Sequence, residues 1–278
     1  MKDANYKEMS RPSLNKHVRQ SSEYSRRSSV FEVEEAKSFC ERLKVLFTNK
    51  CFCYLVAAGA MRFLGGYSLG FLSGGFFEDR YPEHTSQFSY MNAVIVIGGG
   101  LPASFLGGYL SDAWEEKYPT IKGLIAGVGA LVSAPFIVIA YGLQPGFWGS
   151  IAAYYVAYFT AEMWYGPSHA QINNMFPSEY QGFAVAAFNL AGAIAGTIAT
   201  LTLGAIKTAL DSGDDAKSEE DAKTNGWILT GGVMVSYLTC GPLFIYSGVL
   251  YARQLKENKK KLNLEAMNSL AENKKTDA

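Results

Sequence analysis

The sequence predicts an all-α membrane protein with six transmembrane helices, and two observations lead to this prediction. The polar residues of the 278-residue chain are concentrated near its two ends and in one loop, although its mean hydropathy is close to zero. Between them lie six apolar runs, at 52–76, 90–110, 123–141, 147–166, 183–206 and 227–250. Each run can cross a hydrocarbon core of about 30 Å at about 1.5 Å per residue. Buried helices of soluble proteins rarely stay apolar for so long, and the 28 glycines suit membrane helices.

The segments outside these runs define the domain boundaries. Residues 1–32 are rich in Ser, Lys and Arg, which predicts a disordered cytoplasmic tail. In residues 33–50 apolar side chains recur every three or four positions, which predicts an amphipathic helix on the cytoplasmic membrane surface. A six-helix transmembrane domain follows at 51–252. The cytoplasmic tail, 253–278, carries lysines and could continue the last helix outward.

The distribution of basic residues predicts the orientation. An even number of spans places both termini on one side, and that side carries 20 of the 25 Lys and Arg residues, whereas the other carries four. The positive-inside rule therefore predicts cytoplasmic termini in a multi-pass protein. The sequence does not distinguish the plasma membrane from a lysosomal or vacuolar membrane.

The first span contains one charged residue, Arg62, within "AAGAMRFLGGYSLGF". At three- and four-residue steps its neighbours are small, among them Ala58, Gly59 and Gly66. An arginine at this depth costs several kcal/mol unless it has a partner or a wet cavity. We therefore expect Arg62 to face the bundle interior. Its partner is not obvious, because the only intramembrane carboxylate is Glu162, near the end of the fourth span.

Three other spans carry polar or helix-softening patterns. On the fourth, Tyr154, Tyr158, Glu162 and Tyr165 form a stripe that indicates either a cavity lining or an interfacial anchor. On the fifth, Asn189 shares a face with a GxxxG step that predicts close helix packing. On the second, "IGGGLP" indicates a bend, either passive or used in gating.

Two motifs resemble the major facilitator superfamily of secondary transporters. "GGYLSDAWEEKYPTIKG", with Gly108 and Asp112, resembles the loop signature that the family carries between the second and third helices of each half. "YGPSHAQINNMFPSEYQGFAVAA" resembles the signature at the cytoplasmic end of the fourth helix of a half. With "RFLGGYSLGFLSGGFF", their order is most similar to the C-terminal half of Spinster-like members. The chain departs from the family pattern in lacking the usual basic residues after Asp112 and in having Gln181 where the second motif usually has arginine.

The resemblance implies one six-helix half of a major facilitator fold. It implies secondary transport of an anionic or amphiphilic organic solute by alternating access, with lysolipids or other amphiphilic anions as the solutes associated with export by Spinster-like members. We predict that Arg62 attracts the anion or pairs with a carboxylate of the other half. The remaining predicted substrate-binding residues are Tyr67, Tyr154, Tyr158 and Asn189. The predicted gating residues are Gly108, Asp112 and Glu162.

The expected partners are the lipid bilayer, a small organic solute such as a lysolipid or organic anion, and a second six-helix half. That half is a missing N-terminal portion, a second copy of this chain or another chain. No cofactor, metal or nucleic acid is expected. The alternative is a non-transporting membrane subunit or scaffold derived from a transporter half. An unpaired charge at Arg62 argues against a scaffold, because a packing module has little reason to keep one.

An enzyme is not expected. "GYSLG", residues 66–70, fits the G-x-S-x-G pattern, but an intramembrane serine protease needs a histidine on a later span within hydrogen-bond reach of the serine. His17, His84 and His169 lie in the tail, in an outer loop and at a helix end. Ser68 is therefore assigned to packing.

Overall fold

The computed structural model describes residues 38–210 and 219–276, which are almost entirely helical and contain no strand. The tail predicted at 1–32 and the first residues of the predicted surface helix, 33–37, lie outside the described residues. The helices are α1 Phe39–Thr48, α2 Lys50–Arg80, α3 Thr85–Val94, α4 Leu101–Glu115, α5 Ile121–Ile137, α6 Phe147–Glu162, α7 Tyr165–Met175, α8 Ser178–Leu210 and α9 Glu219–Thr276.

Helix α1 lies within the segment predicted as a surface helix, and polar side chains cap its start and the start of α2. Ser38 and Glu41 form a capping box, in which each side chain bonds to the other residue's backbone N–H. Asn49 separates α1 from α2, and its Oδ1 accepts hydrogen bonds from the backbone N–H groups of Cys51 and Phe52. These bonds satisfy the first donors of α2, so the chain turns directly into the first long apolar helix. We refer to this end of the bundle as the α1 end.

Two helices continue through π-helical turns. One turn, Ile95–Gly100, joins α3 to α4 and coincides with the glycine run for which the sequence predicts a bend. The other, Val138–Leu143, extends α5 and leads into a turn in which Gly146 has φ 101°, a backbone conformation that glycine adopts without strain. Such π turns are rare and are frequent at functional sites.

Among the described residues, five continuous helical segments are long and apolar enough to cross a membrane: Lys50–Arg80, Pro82–Glu115, Ile121–Leu143, Ser178–Ile206 and Lys223–Lys261. The fourth predicted span differs from the expectation. Helix α6 ends at Glu162, so it rises only about 24 Å over its 16 residues, and a turn at Met163 and Trp164 separates it from α7. The run predicted at 147–166 is therefore an interrupted helix.

Small residues allow the helices to pack closely. Helix α9 packs against α2 and α5, α2 against α8, α5 against α6, and α4 against α7. The predicted GxxxG packing is confirmed, because side-chain atoms at Gly192 and Gly196 would overlap the rings of Phe63 and Tyr67 from α2. Buried apolar side chains form two clusters, one towards the α1 end and one towards the opposite end. Arg62 lies near the middle of α2, and Glu162 is the last residue of α6, where the interruption begins.

Candidate functional site

The centre of the candidate site is an ion pair between α2 and the end of α6. Arg62 is 2% exposed, as the small residues of its face predict. Its Nη2 donates to Oε1 of Glu162 over 2.8 Å, and its Nε donates to the carbonyl oxygen of Ala161 over 3.3 Å. The last residues of α6 thus supply both acceptors, and the partner that was not obvious from the sequence is Glu162.

Two aromatic rings complete the surroundings of Arg62. Its guanidinium carbon lies 4.9 Å from the ring centroid of Tyr237 and 5.7 Å from that of Trp164. Aromatic faces attract cations more strongly where water is excluded. The guanidinium is therefore enclosed by a carboxylate, a carbonyl oxygen and two rings. Glu162 is the more accessible partner, because 22% of its side chain is exposed compared with 3% for Arg62.

An open groove of about 870 Å³ runs past Glu162 between the α3–α4 helix and the α6–α7 pair. Much of its wall is apolar. Its lining consists of Val96, Ile97, Gly100, Leu101, Ser104, Phe105, Gly108, Tyr109, Asp112, Tyr158, Glu162, Tyr165 and Gly166. The charged members are Asp112 and Glu162, and both are acidic.

Glycines set the width of this groove. Beside the π turn, a Cβ atom at Gly100 would lie 3.0 Å from Cε1 of Tyr158. Towards the α1 end, a Cβ atom at Gly107 would overlap the carbonyl oxygen of Met163, and Gly108 lies against Gly166. The backbones of α4 and α7 therefore touch at the base of the groove.

The predicted site residues divide into two groups. Tyr158, Glu162, Gly108 and Asp112 line the groove, and Arg62 lies directly behind Glu162. The other predicted residues are not among its lining residues.

Those other residues are Tyr154, Tyr67 and Asn189. Tyr154 is 2% exposed; its Oη donates to Oδ1 of Asn92 over 3.5 Å, and its ring centroid lies 5.9 Å from that of Tyr158. Tyr67 lies against Gly196 with 43% of its surface exposed, and Asn189 is half-buried on α8. The tyrosine stripe therefore runs from the groove at Tyr158 into the core at Tyr154.

A second polar cluster at the α1 end contains residues that the sequence did not single out. The side chain of Lys122, at the start of α5, is fully buried and forms ion pairs with Glu115 and with Oδ1 of Asp112, the latter over 3.2 Å. Tyr251 donates to Oε1 of Glu115 over 2.6 Å and accepts a hydrogen bond from Asn174 over 3.2 Å. The cluster ties α4, α5, α7 and α9 together beside the predicted gating residue Asp112. The sequence feature that could have indicated this cluster is Lys122, a lysine in the first turn of an otherwise apolar helix.

Comparisons with known proteins agree with this architecture. Residues 8–200 match the family model described as Major Facilitator Superfamily. No curated protein matches the chain.

Among the solved structures that are similar in fold are two of a bacterial homologue of the human lysosomal transporter Spinster in an inward-facing conformation. The unoccupied form has 16% sequence identity and a TM-score of 0.53, with 82% of this chain and 54% of that chain covered. The occupied form has 17% identity and a TM-score of 0.50, with 81% of this chain and 52% of that chain covered. This chain thus spans about half the length of those proteins.

Proposed function

Because the chain belongs to the Major Facilitator Superfamily, we propose that it forms one half of a secondary transporter that moves an amphiphilic or anionic organic solute by alternating access. The protein is an integral, multi-pass membrane protein and is not an enzyme. Ser68, in the G-x-S-x-G pattern, is 1% exposed, and its Oγ donates to the carbonyl oxygen of Leu64 in its own helix.

One observation carries the proposal: a charged pair at an interrupted membrane helix borders an open, largely apolar groove. Transporters place substrate sites near the membrane midplane, where interrupted helices expose backbone groups. A charged side chain at that depth is expensive and marks a functional path. The groove supports the amphiphilic solute over the purely anionic one, because Arg62 is enclosed and its nearest anion is already Glu162.

We assign roles to the predicted residues on this basis. Tyr158 and Glu162 contact the solute, Arg62 fixes the position of Glu162 through one of its carboxylate oxygens, and Tyr154 supports Tyr158 from behind. Gly108 and Asp112 belong to the gate at the α1 end, which we propose faces the cytoplasm.

The solute path also needs a second six-helix half. Tyr67 and Asn189, which are outside the groove lining, are proposed to contact solute from the α2–α8 side of the complete path. The second half lies on the same polypeptide, on a second copy or on another chain. A bundle of two related halves would place the groove between them.

The non-transporting subunit remains the second candidate, and one observation favours it. An unpaired charge at Arg62 would speak against a scaffold, but Arg62 is paired with Glu162 within the chain. Measured transport therefore has to decide between the two functions.

The deciding experiment measures uptake into membrane vesicles from cells that express the native gene. The probes are fluorescent single-chain amphiphiles with anionic, zwitterionic or cationic head groups. The proposal predicts uptake of at least one probe and its loss in Arg62→Ala. Arg253→Ala removes an exposed arginine and serves as the control. Unaltered uptake by correctly inserted Arg62→Ala would refute the role of Arg62, and no uptake of any probe would favour the subunit.

A further inference from the structure

The charges on the described residues that line the groove are all negative. Glu162 is 22% exposed through its side chain and Asp112 is 63% exposed, and both line the groove. The basic partner of Glu162, Arg62, is buried behind it, and the basic partner of Asp112, Lys122, has a fully buried side chain. Neither lysine nor arginine is among the groove's lining residues.

The wall of the groove offers a long apolar surface next to these acids. Ile97, Leu101, Phe105 and Tyr109 follow one another at steps of four along the π turn and α4. Each of them is at least 60% exposed. At about 1.5 Å per residue the stripe is about 18 Å long, which suits a single extended alkyl chain.

The chemistry around Glu162 suits a cation. Its Oε1 accepts from Arg62, and a carboxylate has two oxygens with about four lone-pair sites, so it can accept a further donor. Tyr158 and Tyr165 line the groove beside it, and tyrosine faces attract ammonium groups. An anionic head group would instead approach the like charges of Glu162 and Asp112, while the guanidinium of Arg62 stayed enclosed.

We propose that the groove binds a single-chain cationic amphiphile, with its ammonium at Glu162 between Tyr158 and Tyr165 and its alkyl chain along the stripe from Ile97 to Tyr109. This inference rests on the proposed function and deepens it, since it gives the charge of the solute's head group. Asp112 adds a second negative charge at the α1 end of the same groove.

Photolabelling of the purified full chain in lipid nanodiscs tests the inference. The probes are a diazirine-bearing dodecylamine and a dodecyl sulfate with the same photoreactive chain, and labelled peptides are identified by mass spectrometry. The amine is expected to label peptides containing Ile97 to Tyr109, with competition by dodecyltrimethylammonium. Glu162→Gln should lower this labelling about tenfold, the effect of losing one charge-assisted contact. Glu116→Gln, which neutralises an exposed acid outside the groove lining, should leave it unchanged.

A second variant keeps the test independent of the Arg62–Glu162 pair. Leu101→Arg places a positive charge on the exposed groove wall, and it should abolish labelling by the amine and increase labelling by the sulfate. Two outcomes would overturn the inference while an amphiphile site remained. In one, the sulfate labels the groove as strongly as the amine does. In the other, neither variant changes the labelling by the amine. Absence of groove labelling by either probe would also overturn the inference, and vesicle uptake would still decide the proposed function separately.

Discussion

At the scale of single residues, the candidate site depends on the ion pair that Glu162 forms with Arg62. The small residues around Arg62 indicated the bundle interior, and Arg62 is buried there. Its pairing with Glu162 could not be predicted, because it depends on α6 ending at Glu162, on the direction of that helix end and on the packing of α2. Lys122 was missed for a related reason, since its partners Asp112 and Glu115 come from the preceding helix across a loop.

Removing one member of the Arg62–Glu162 pair should destabilise the protein more than replacing both members by apolar residues. Glu162→Ala leaves a buried guanidinium without its carboxylate, and we expect a loss of about 3 kcal/mol, the low end for a buried pair, because Glu162 is partly exposed. The double variant Arg62→Leu/Glu162→Leu should recover most of this loss. The measurement is the thermal unfolding midpoint of the detergent-solubilised chain. A double variant less stable than Glu162→Ala would show that the pair is not the source of the effect.

Lys122 should contribute far more to stability than its neighbour Lys117. Lys122→Ala leaves Asp112 and Glu115 close together without their shared cation, so we expect a loss of about 2 kcal/mol or more. Lys117 is exposed in the same loop region, and Lys117→Ala should change stability by less than about 0.5 kcal/mol. Denaturant melts of both variants, followed by tryptophan fluorescence, compare them directly. Equal effects would contradict the role of the Lys122 cluster.

At the scale of elements, apolar runs predicted five of the spans well and the fourth incompletely. Length and apolarity fix where a membrane helix lies, so observed helices such as α2 and α8 include the predicted runs. The turn at Met163 and Trp164 contains neither glycine nor proline, so no helix-breaking residue indicated that α6 would be interrupted there. The interruption occurs where α4 packs against α7. The glycine run before Pro102 did predict an irregular helix, but not its π form.

The close contact between α4 and the turn that precedes α7 gives an element-scale prediction. In Gly107→Ala the new methyl group would overlap the carbonyl oxygen of Met163, so the two backbones must separate. Overpacking of this kind costs about 1–3 kcal/mol. Gly70→Ala is the matched control, because nothing lies within 4 Å of a Cβ atom at Gly70. The unfolding midpoint should fall in the first variant only, and equal midpoints would contradict the assigned packing.

At the scale of the whole molecule, the unequal distribution of basic residues predicts an orientation that the fold itself does not determine. The sequence up to Cys51 and the sequence after Tyr251 together carry 18 of the 25 Lys and Arg residues, and we propose that the α1 end of the bundle and the end of α9 face the cytoplasm. The Pro82–His84 turn would then lie outside the cytoplasm. The solute could not be predicted from this sequence, because in the transporter that we propose the solute path forms between this bundle and a second one.

Site-directed labelling checks this orientation. A cysteine at Glu83 should react with an impermeant maleimide applied from outside, in a background whose four native cysteines are replaced by serine or alanine. A cysteine at Lys259, in the part of α9 beyond the last predicted span, should react only after permeabilisation. The opposite pattern would invert the proposed orientation.

The central claim is that this chain works as one half of a transporter with its groove facing a second six-helix half. The most direct test incorporates a photo-crosslinking amino acid at Phe105, which is 80% exposed on the groove wall, in the native gene. Crosslinked fragments are then sequenced, alongside an immunoblot for the C-terminal tail. The account predicts crosslinks from Phe105 to another six-helix bundle, on the same polypeptide or on a partner chain. Crosslinks to lipid alone, with a band at the 30.3 kDa of this chain, would contradict it.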